Sequence, residues 1–302
     1  VPDPKIFLRA LDLDAPALAI HGGAGRAPAR PDSALEQAEV AGLRGALDAG
    51  WAVLDDGGSA LEAAVAAVAS MEASGTFNAG RGAVPTTAGD VETDAAVMGL
   101  AEGVEVSGAA CAMTWPDHPI LVARAVALAG DALLLAGPGA DAFARAHGLA
   151  QRDPARLTGG GVAPVSDMGT VGAVALDRDG HLAAATSTGG RRGQPPGRVG
   201  DAPVIGAGTW AEQGRVAVSA TGDGEAFIRA GFAHRIDLAV AGGRRLDQAA
   251  ADALAAAARW KGTGGAIVLG AEGRLVVLHD TESMARGWRD RSVTHAEVAG
   301  RD

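Results

Sequence analysis

The feature that most restricts the fold is a pair of apolar runs around a turn: Thr170-Val-Gly-Ala-Val-Ala-Leu-Asp, then Arg178-Asp-Gly, then His181-Leu-Ala-Ala-Ala-Thr-Ser-Thr. Two such runs flanking Asp-Gly predict a β-hairpin. Neither alternates polar with apolar residues, so both faces of the hairpin need cover, which calls for layers on either side of a sheet. What precedes the hairpin differs sharply. From about residue 149 to 168 periodicity stops, and Gln, Arg, two Asp, two Pro, Ser and a Gly-Gly-Gly run take over. That is the composition of an exposed linker, where proteolytic nicking concentrates. A hydroxyl residue, Thr170, therefore stands where a linker becomes a buried strand.

Other segments fit a layered arrangement. Ala17-Leu-Ala-Ile-His-Gly-Gly-Ala-Gly predicts a strand and a tight turn, with no role assigned to His21. Leu35, Ala38, Leu43, Ala46 and Leu47 share one face of a helix over roughly 33–50. Ser59 and Glu62 make a capping box ahead of Ala63-Ala-Val-Ala-Ala-Val-Ala, predicting a helix to about Met71. Gly75 to Gly82 is expected as a loop, followed by a strand-rich stretch to about Met113. Helices are expected near 118–129 and 138–147, either side of Ala132-Leu-Leu-Leu-Ala. Beyond the hairpin, strands are expected at 202–207 and 215–220, helices at 224–241 and 247–260, and a last hairpin pairing 265–270 with 274–278. Blocks of strands between paired helices favour a layered α/β sandwich over a strictly alternating parallel fold. No internal repeat is present.

Composition removes several function classes. At 302 residues the chain can bury one large core or two ordinary ones. Hydrophobic residues at 48% and charged ones at 21% match folded soluble proteins. No run of 18 apolar residues occurs and residues 1–16 lack a signal-peptide core, so no membrane partner and a cytoplasmic location are expected, although the chain opens at Val1. A net charge of −10 opposes nucleic-acid binding, which needs clustered cations. The single Cys111, in Gly108-Ala-Ala-Cys-Ala-Met, is expected as a small buried hydrophobe. His118, His147, His181, His234, His279 and His295 show no metal-ligand spacing, so zinc is not expected. Gly22-Gly-Ala-Gly, Gly222-Asp-Gly and Gly262-Thr-Gly-Gly form neither a P-loop nor a dinucleotide fingerprint. No G-x-S-x-G elbow is present either.

The junction itself suggests chemistry. Gly169 leaves its carbonyl sterically open, so the Thr170 hydroxyl is placed for an N-to-O acyl shift. Hydrolysis would then free the Thr170 α-amine. Such an amine titrates near 7.7–8.0, so roughly a third is neutral at pH 7.5 and serves as a built-in general base. Taken alone, Thr170 is an ordinary strand residue, Thr188 an ST-turn residue, and Arg198 with Asp201 a surface ion pair.

Together with His21-Gly-Gly-Ala-Gly, the stretches Phe77-Asn-Ala-Gly-Arg-Gly, Thr170-Val-Gly-Ala-Val-Ala-Leu-Asp, Ala185-Thr-Ser-Thr-Gly-Gly, Gly197-Arg-Val-Gly-Asp and Ser219-Ala-Thr-Gly-Asp-Gly-Glu recur in a known order. Over about residues 17 to 288 the chain resembles the plant-type asparaginase and isoaspartyl peptidase group of N-terminal-nucleophile hydrolases. The resemblance implies an α+β fold, a four-layer αββα sandwich, as a single domain over 1–302. It implies self-cleavage between Gly169 and Thr170 into 1–169 and 170–302, with the linker at about 149–169 and the products paired as a dimer of such pairs. It further implies hydrolysis of L-asparagine or β-aspartyl dipeptides, with Thr170 as nucleophile and Thr188 assisting it. Thr221 and Gly222 match an oxyanion hole. Arg198 and Asp201 match the groups that hold the substrate's α-carboxylate and α-ammonium, and Gly224 and Asn78 match further substrate-binding positions. No cofactor is implied for catalysis. A structural sodium ion is implied on backbone carbonyls of Met71, Glu72, Ser74, Phe77, Ala79 and Arg81.

Some positions depart from that pattern: Arg191-Arg-Gly-Gln-Pro-Pro precedes Gly197, Asp223 stands beside the oxyanion donors, and Gly99 and Asp280 replace a common Asp and Asn. The first leaves open the choice between asparagine and dipeptides. Two alternatives stay open: a glycosylasparaginase-like hydrolase, and an unprocessed homologue that binds amino acids or serves as a structural subunit.

Overall fold

The computed structural model describes residues 6–25, 33–153, 155 and 168–300. The linker expected at 149–169 lies outside the described residues at 154 and from 156 to 167. In chain order the first half holds strands β1 (Phe7–Asp12) and β2 (Ala17–Gly25), then helices α1 (Ala34–Asp55) and α2 (Ala60–Ser74). A hairpin of β3 (Thr93–Ala101) and β4 (Val104–Met113) follows, then α3 (Pro119–Ala129), the short β5 (Leu134–Ala136) and α4 (Gly137–Ala146). The second half runs β6 (Met168–Leu176), β7 (Leu182–Arg191), β8 (Thr209–Glu212) and β9 (Val216–Gly222). Helices α5 (Gly224–Ala230), α6 (Phe232–Ala241) and α7 (Leu246–Ala258) come next, then β10 (Gly264–Gly270), β11 (Arg274–His279), β12 (Ser283–Arg289) and β13 (Thr294–Ala299).

Local chemistry explains most boundaries. Ser59 Oγ accepts from Glu62 N at 3.3 Å and starts α2, as its sequence predicts. Ser33 caps α1 in the same way. Helix α1 runs a turn beyond its expected end because Trp51 and Leu54 extend its buried face. The helix expected over 224–241 is broken at Gly231, whose φ of 58° turns the chain between α5 and α6. The strand expected at 202–207 does not form. There the Asp201 carbonyl accepts from Val204 N (2.9 Å) and Gly208 N (3.1 Å), so turns use the donors that a strand would offer. Strands β1, β12 and β13 were not anticipated, since their half-exposed or charge-bearing sequences carry no clean alternation.

Among the described residues the strands form two sheets, ordered β13-β12-β2-β6-β7-β3-β4-β5 and β1-β11-β10-β9-β8. Side-chain alternation then dictates the layers. From β2, Leu18 and Ile20 face α1 and α2, packing with Leu43, Leu47, Val68 and Met71. Ala17 and Ala19 face the other way and join Val174, Leu182, Ile267 and Val277 between the sheets. On the far side, Phe227, Phe232, Ile236 and Leu254 cover Val218, Val268 and Val276. The order is helix, sheet, sheet, helix, the four-layer αββα sandwich. Each fully buried Leu, Ile, Val or Phe stabilises it by roughly 1.5–3 kcal/mol. Cys111 is buried as expected. Among the described residues no helix is long and apolar enough to cross a membrane.

The hairpin sits at the centre of this stack, with β6 between β2 and β7 and helices over its outer face. Contact between the sheets is closest at Gly172, where a Cβ would overlap both Ser219 and His21. Gly172→Ala is expected to destabilise the fold by about 1–3 kcal/mol through overpacking. Gly139→Ala, where nothing lies within 4 Å, should be neutral or stabilise helix α4 by about 0.5–1 kcal/mol. Denaturant unfolding of both variants checks the contrast.

Candidate active site

Directly opposed residues of neighbouring strands point to the same face. Thr170 of β6 pairs with Thr188 of β7, which pairs in turn with Asp94 of β3, so these three side chains form one row across the sheet. Within it the Thr170 hydroxyl donates to Thr188 Oγ1 at 3.2 Å, and the Thr188 hydroxyl donates to the Gly169 carbonyl at 3.1 Å. Gly190 N also donates to Thr188 Oγ1, at 3.0 Å, and fixes its rotamer. Both threonines are buried. The arrangement links the Thr170 proton to the carbonyl oxygen that would receive it.

The Gly169–Thr170 bond is held from two sides. Gly23, at φ 116°, lets the end of β2 approach so closely that a Cβ there would lie 3.1 Å from Gly169 Cα. Opposite, a Cβ on Gly169 would meet Asn78 Cβ at 3.0 Å. Asn78 is a strut rather than a pocket wall: its Nδ2 donates to the Gly190 carbonyl (2.7 Å) and its Oδ1 accepts from Val84 N (3.1 Å). Its loop is rich in carbonyls. A Cβ at Gly80 would lie 2.8 Å from the Glu72 carbonyl oxygen, and one at Gly82 would overlap the Phe77 carbonyl and meet that of Gly75 at 3.0 Å. Of the other carbonyls expected there, Met71 accepts from the Ser74 hydroxyl and Ala79 from Gly82 N.

The pocket beside the bond is lined by Thr170, Thr188, Arg198, Asp201 and Gly222 among others. Arg198 grips Glu225 through Nε (3.0 Å) and Nη2 (2.8 Å), and this pairing draws the Glu225 carboxyl down to about 2. Asp201 is buried, and its Oδ2 has no hydrogen-bonding partner among the described residues. Burial pushes its pKa up to about 7, against the pull of Arg198. Asp94, buried too, rises to about 6 for the same reason while accepting from Ala112 N at 2.8 Å. Gly224 forms a floor, since a Cβ there would sit 2.9 Å from Asp201 Oδ1 and 3.1 Å from Arg198 Nη2. Thr221 is fully buried and its Oγ1 accepts from Ala24 N at 3.3 Å, which leaves its proton available. Asp223 turns its carboxylate to Thr263 N (3.0 Å) instead of into the pocket.

The structure thus brings Thr170, Thr188, Arg198, Asp201, Gly222 and Gly224 together and sets Asn78 behind them. Sequence reasoning missed Asp94 and Glu225. It also gave His21 no role, yet His21 Nε2 lies 2.9 Å from Ser219 Oγ, which lies 2.7 Å from Thr186 Oγ1, all fully buried beneath the row. Burial holds the imidazole neutral, with its pKa lowered to about 3. A lone polar residue at the end of an apolar run that must be buried is the signal that was present for His21, whereas Asp94, next to Glu92 and Thr93, carried none.

Comparison with known proteins shows a family for the chain. The family model described as "Asparaginase" matches residues 14–162 and 161–298, the two stretches meeting within the linker. The isoaspartyl peptidase of Salmonella typhimurium is 40% identical, covering 90% of this chain and 94% of that protein. The isoaspartyl peptidase of Escherichia coli is 40% identical, covering 90% and 92%. The plant-type L-asparaginase of Pyrobaculum calidifontis is 39% identical, covering 93% and 99%.

A carboxyl buried with a raised pKa has a stability signature. Asp201 titrates near 7 in the fold against an ordinary 3.8, so in between the native state holds a proton that the unfolded chain has lost. Stability therefore falls as pH rises from about 4 to 7, by up to about 4 kcal/mol from this group. Asp201→Asn should be more stable than the parent at pH 8, with the advantage vanishing near pH 4. Chemical denaturation across that range checks it; a variant less stable at pH 8 would show the carboxylate to be stabilised by Arg198 instead.

Proposed function

This chain belongs to the asparaginase family whose model spans both of its halves, and we propose that it is a self-activating amidohydrolase of L-asparagine and β-aspartyl dipeptides. The observation that carries the reading is the hydroxyl chain from Thr170 through Thr188 to the Gly169 carbonyl, beside a half-buried Arg198 and a buried Asp201. The names of the relatives support the substrate class.

In the first step Thr170 Oγ1 attacks the Gly169 carbonyl carbon. Its proton passes to Thr188, and the Thr188 proton moves onto the developing oxyanion. Collapse breaks the C–N bond, the nitrogen taking back the proton from the tetrahedral hydroxyl to become the free α-amine, and leaves Gly169 as an ester on Thr170, which water hydrolyses to the Gly169 carboxylate and the Thr170 hydroxyl. The two products stay joined, because β2 and β3 from before the cut flank β6 and β7 from after it in one hydrogen-bonded sheet. A dimer of such pairs completes the reading.

In the second reaction Arg198 takes the α-carboxylate of the substrate and Asp201 its α-ammonium, a match of a fork to a planar anion and of an acceptor to a cation. The side-chain carbonyl then meets Thr170, whose α-amine removes the hydroxyl proton. Thr221 and Gly222 face the oxyanion, donors of a kind whose loss typically costs about 10²–10³ in rate. Ammonia or an amino acid departs, and water activated by the amine releases aspartate from the acyl-enzyme. We further propose sodium on the backbone carbonyls of Met71, Glu72, Ser74, Phe77, Ala79 and Arg81, at the end of α2 and in the loop after it, an oxygen-only donor set that suits a hard cation. It would supply no chemistry to the reaction, only stiffness to the loop that carries Asn78.

Intact mass and N-terminal sequencing of the incubated protein test the proposal. A fragment beginning at Thr170 is expected, absent in Thr170→Ala and forming roughly 10²-fold or more slowly in Thr188→Ala. A chain that stays whole and hydrolyses neither substrate would instead favour the amino-acid-binding or structural alternative.

A further inference from the structure

Arg191 is the last residue of β7, three beyond Thr188, and lines the same pocket as Thr170 and Arg198. Two arginines thus share one acidic neighbour. Arg198 makes both short bonds to Glu225 and its side chain is only 11% exposed, whereas Arg191 Nη1 approaches Glu225 Oε2 at 3.9 Å with its side chain 44% exposed. At 3.9 Å Arg191 makes no hydrogen bond to Glu225, so its guanidinium donors stay open to a ligand.

Its mount is rigid. Gln194, buried at the turn, accepts from Arg191 N at 3.0 Å through Oε1 and donates its own N–H to the Arg191 carbonyl at 3.0 Å. The same Oε1 lies 3.4 Å from Arg198 Nη1, so one side chain ties the two arginine positions together. Gly193 N donates to Pro85 O and Thr87 N to Gln194 O, both at 2.9 Å, which pins the turn to the neighbouring loop. Such fixed placement lowers the ordering cost of binding.

Substrate chemistry distinguishes the two arginines. Asparagine releases ammonia, which offers a second cation nothing to hold. A β-aspartyl dipeptide releases an amino acid whose α-carboxylate lies one carbon from the scissile nitrogen. That dipeptide carries two carboxylates and one ammonium, matched by Arg198, Arg191 and Asp201. We propose that Arg191 is the specificity residue of the leaving-group side, pairing with the free carboxylate of the departing amino acid and biasing the enzyme toward β-aspartyl dipeptides. The assignment rests on the amidohydrolase reading above.

The test compares kcat/KM of the cleaved enzyme for β-aspartyl-alanine and for its C-terminal amide, which share the aspartyl part and the bond broken. The parent should favour the free acid roughly tenfold, the scale of a hydrogen bond to a charged group. Arg191→Gln should bring the acid-to-amide ratio close to one, mainly through KM for the acid, and Arg191→Lys should keep part of the preference. Because the ratio cancels general damage, a variant that lowers both substrates equally would overturn the assignment, as would a parent indifferent to amidation. A cleaved parent that hydrolyses neither dipeptide nor asparagine would instead defeat the underlying substrate reading, and this one with it.

Discussion

Register between β6 and β7 sets where the Thr170 hydroxyl lies, and a slip of one residue would turn it to the opposite face of the sheet. Several constraints hold that register. Continuous pairing runs from Thr170–Thr188 to Leu176–Leu182 at the turn. Asp177 reinforces the turn by accepting from Asp179 N and His181 N. Gly172 and Ser219 lock the strand against the second sheet. The Thr188 hydroxyl can accept from Thr170 and donate to Gly169 only while all of these agree, and the rest of the site is arranged around that row.

Charge in the pocket follows the opposite logic from the core. Asp94 and Asp201 are buried with raised pKa values, and Asp201 keeps one oxygen without a hydrogen-bonding partner among the described residues. An arrangement made only for stability would have paired that oxygen. On the proposed reading a substrate ammonium completes it, and stability is given up where binding gains. Glu225 plays the complementary part by holding Arg198 in place in the free protein.

The same interleaving that buries the hairpin would hold the two parts together after the proposed cut before Thr170. Strands from either side of the Gly169–Thr170 bond alternate in one sheet, and the two core layers that cover it draw residues from both sides.

The sequence by itself determined the hairpin, the capped start of α2 and the small, apolar character of the layers, because period, capping and turn chemistry act over a few residues. Motif order further pointed to Thr170, Thr188, Arg198 and Asp201. Only the tertiary structure decided that Asp94 stands in one row with Thr170 and Thr188, that His21 meets Ser219 across the sheets, that Glu225 occupies Arg198, and that Gln194 sets the place of Arg191. It also decided that 202–207 turns where a strand was expected and that Gly231 divides a helix. These pairings join residues as far as 198 positions apart. No local pattern encodes them, since they arise from the stacking of layers and from the need of each buried polar group to find a partner.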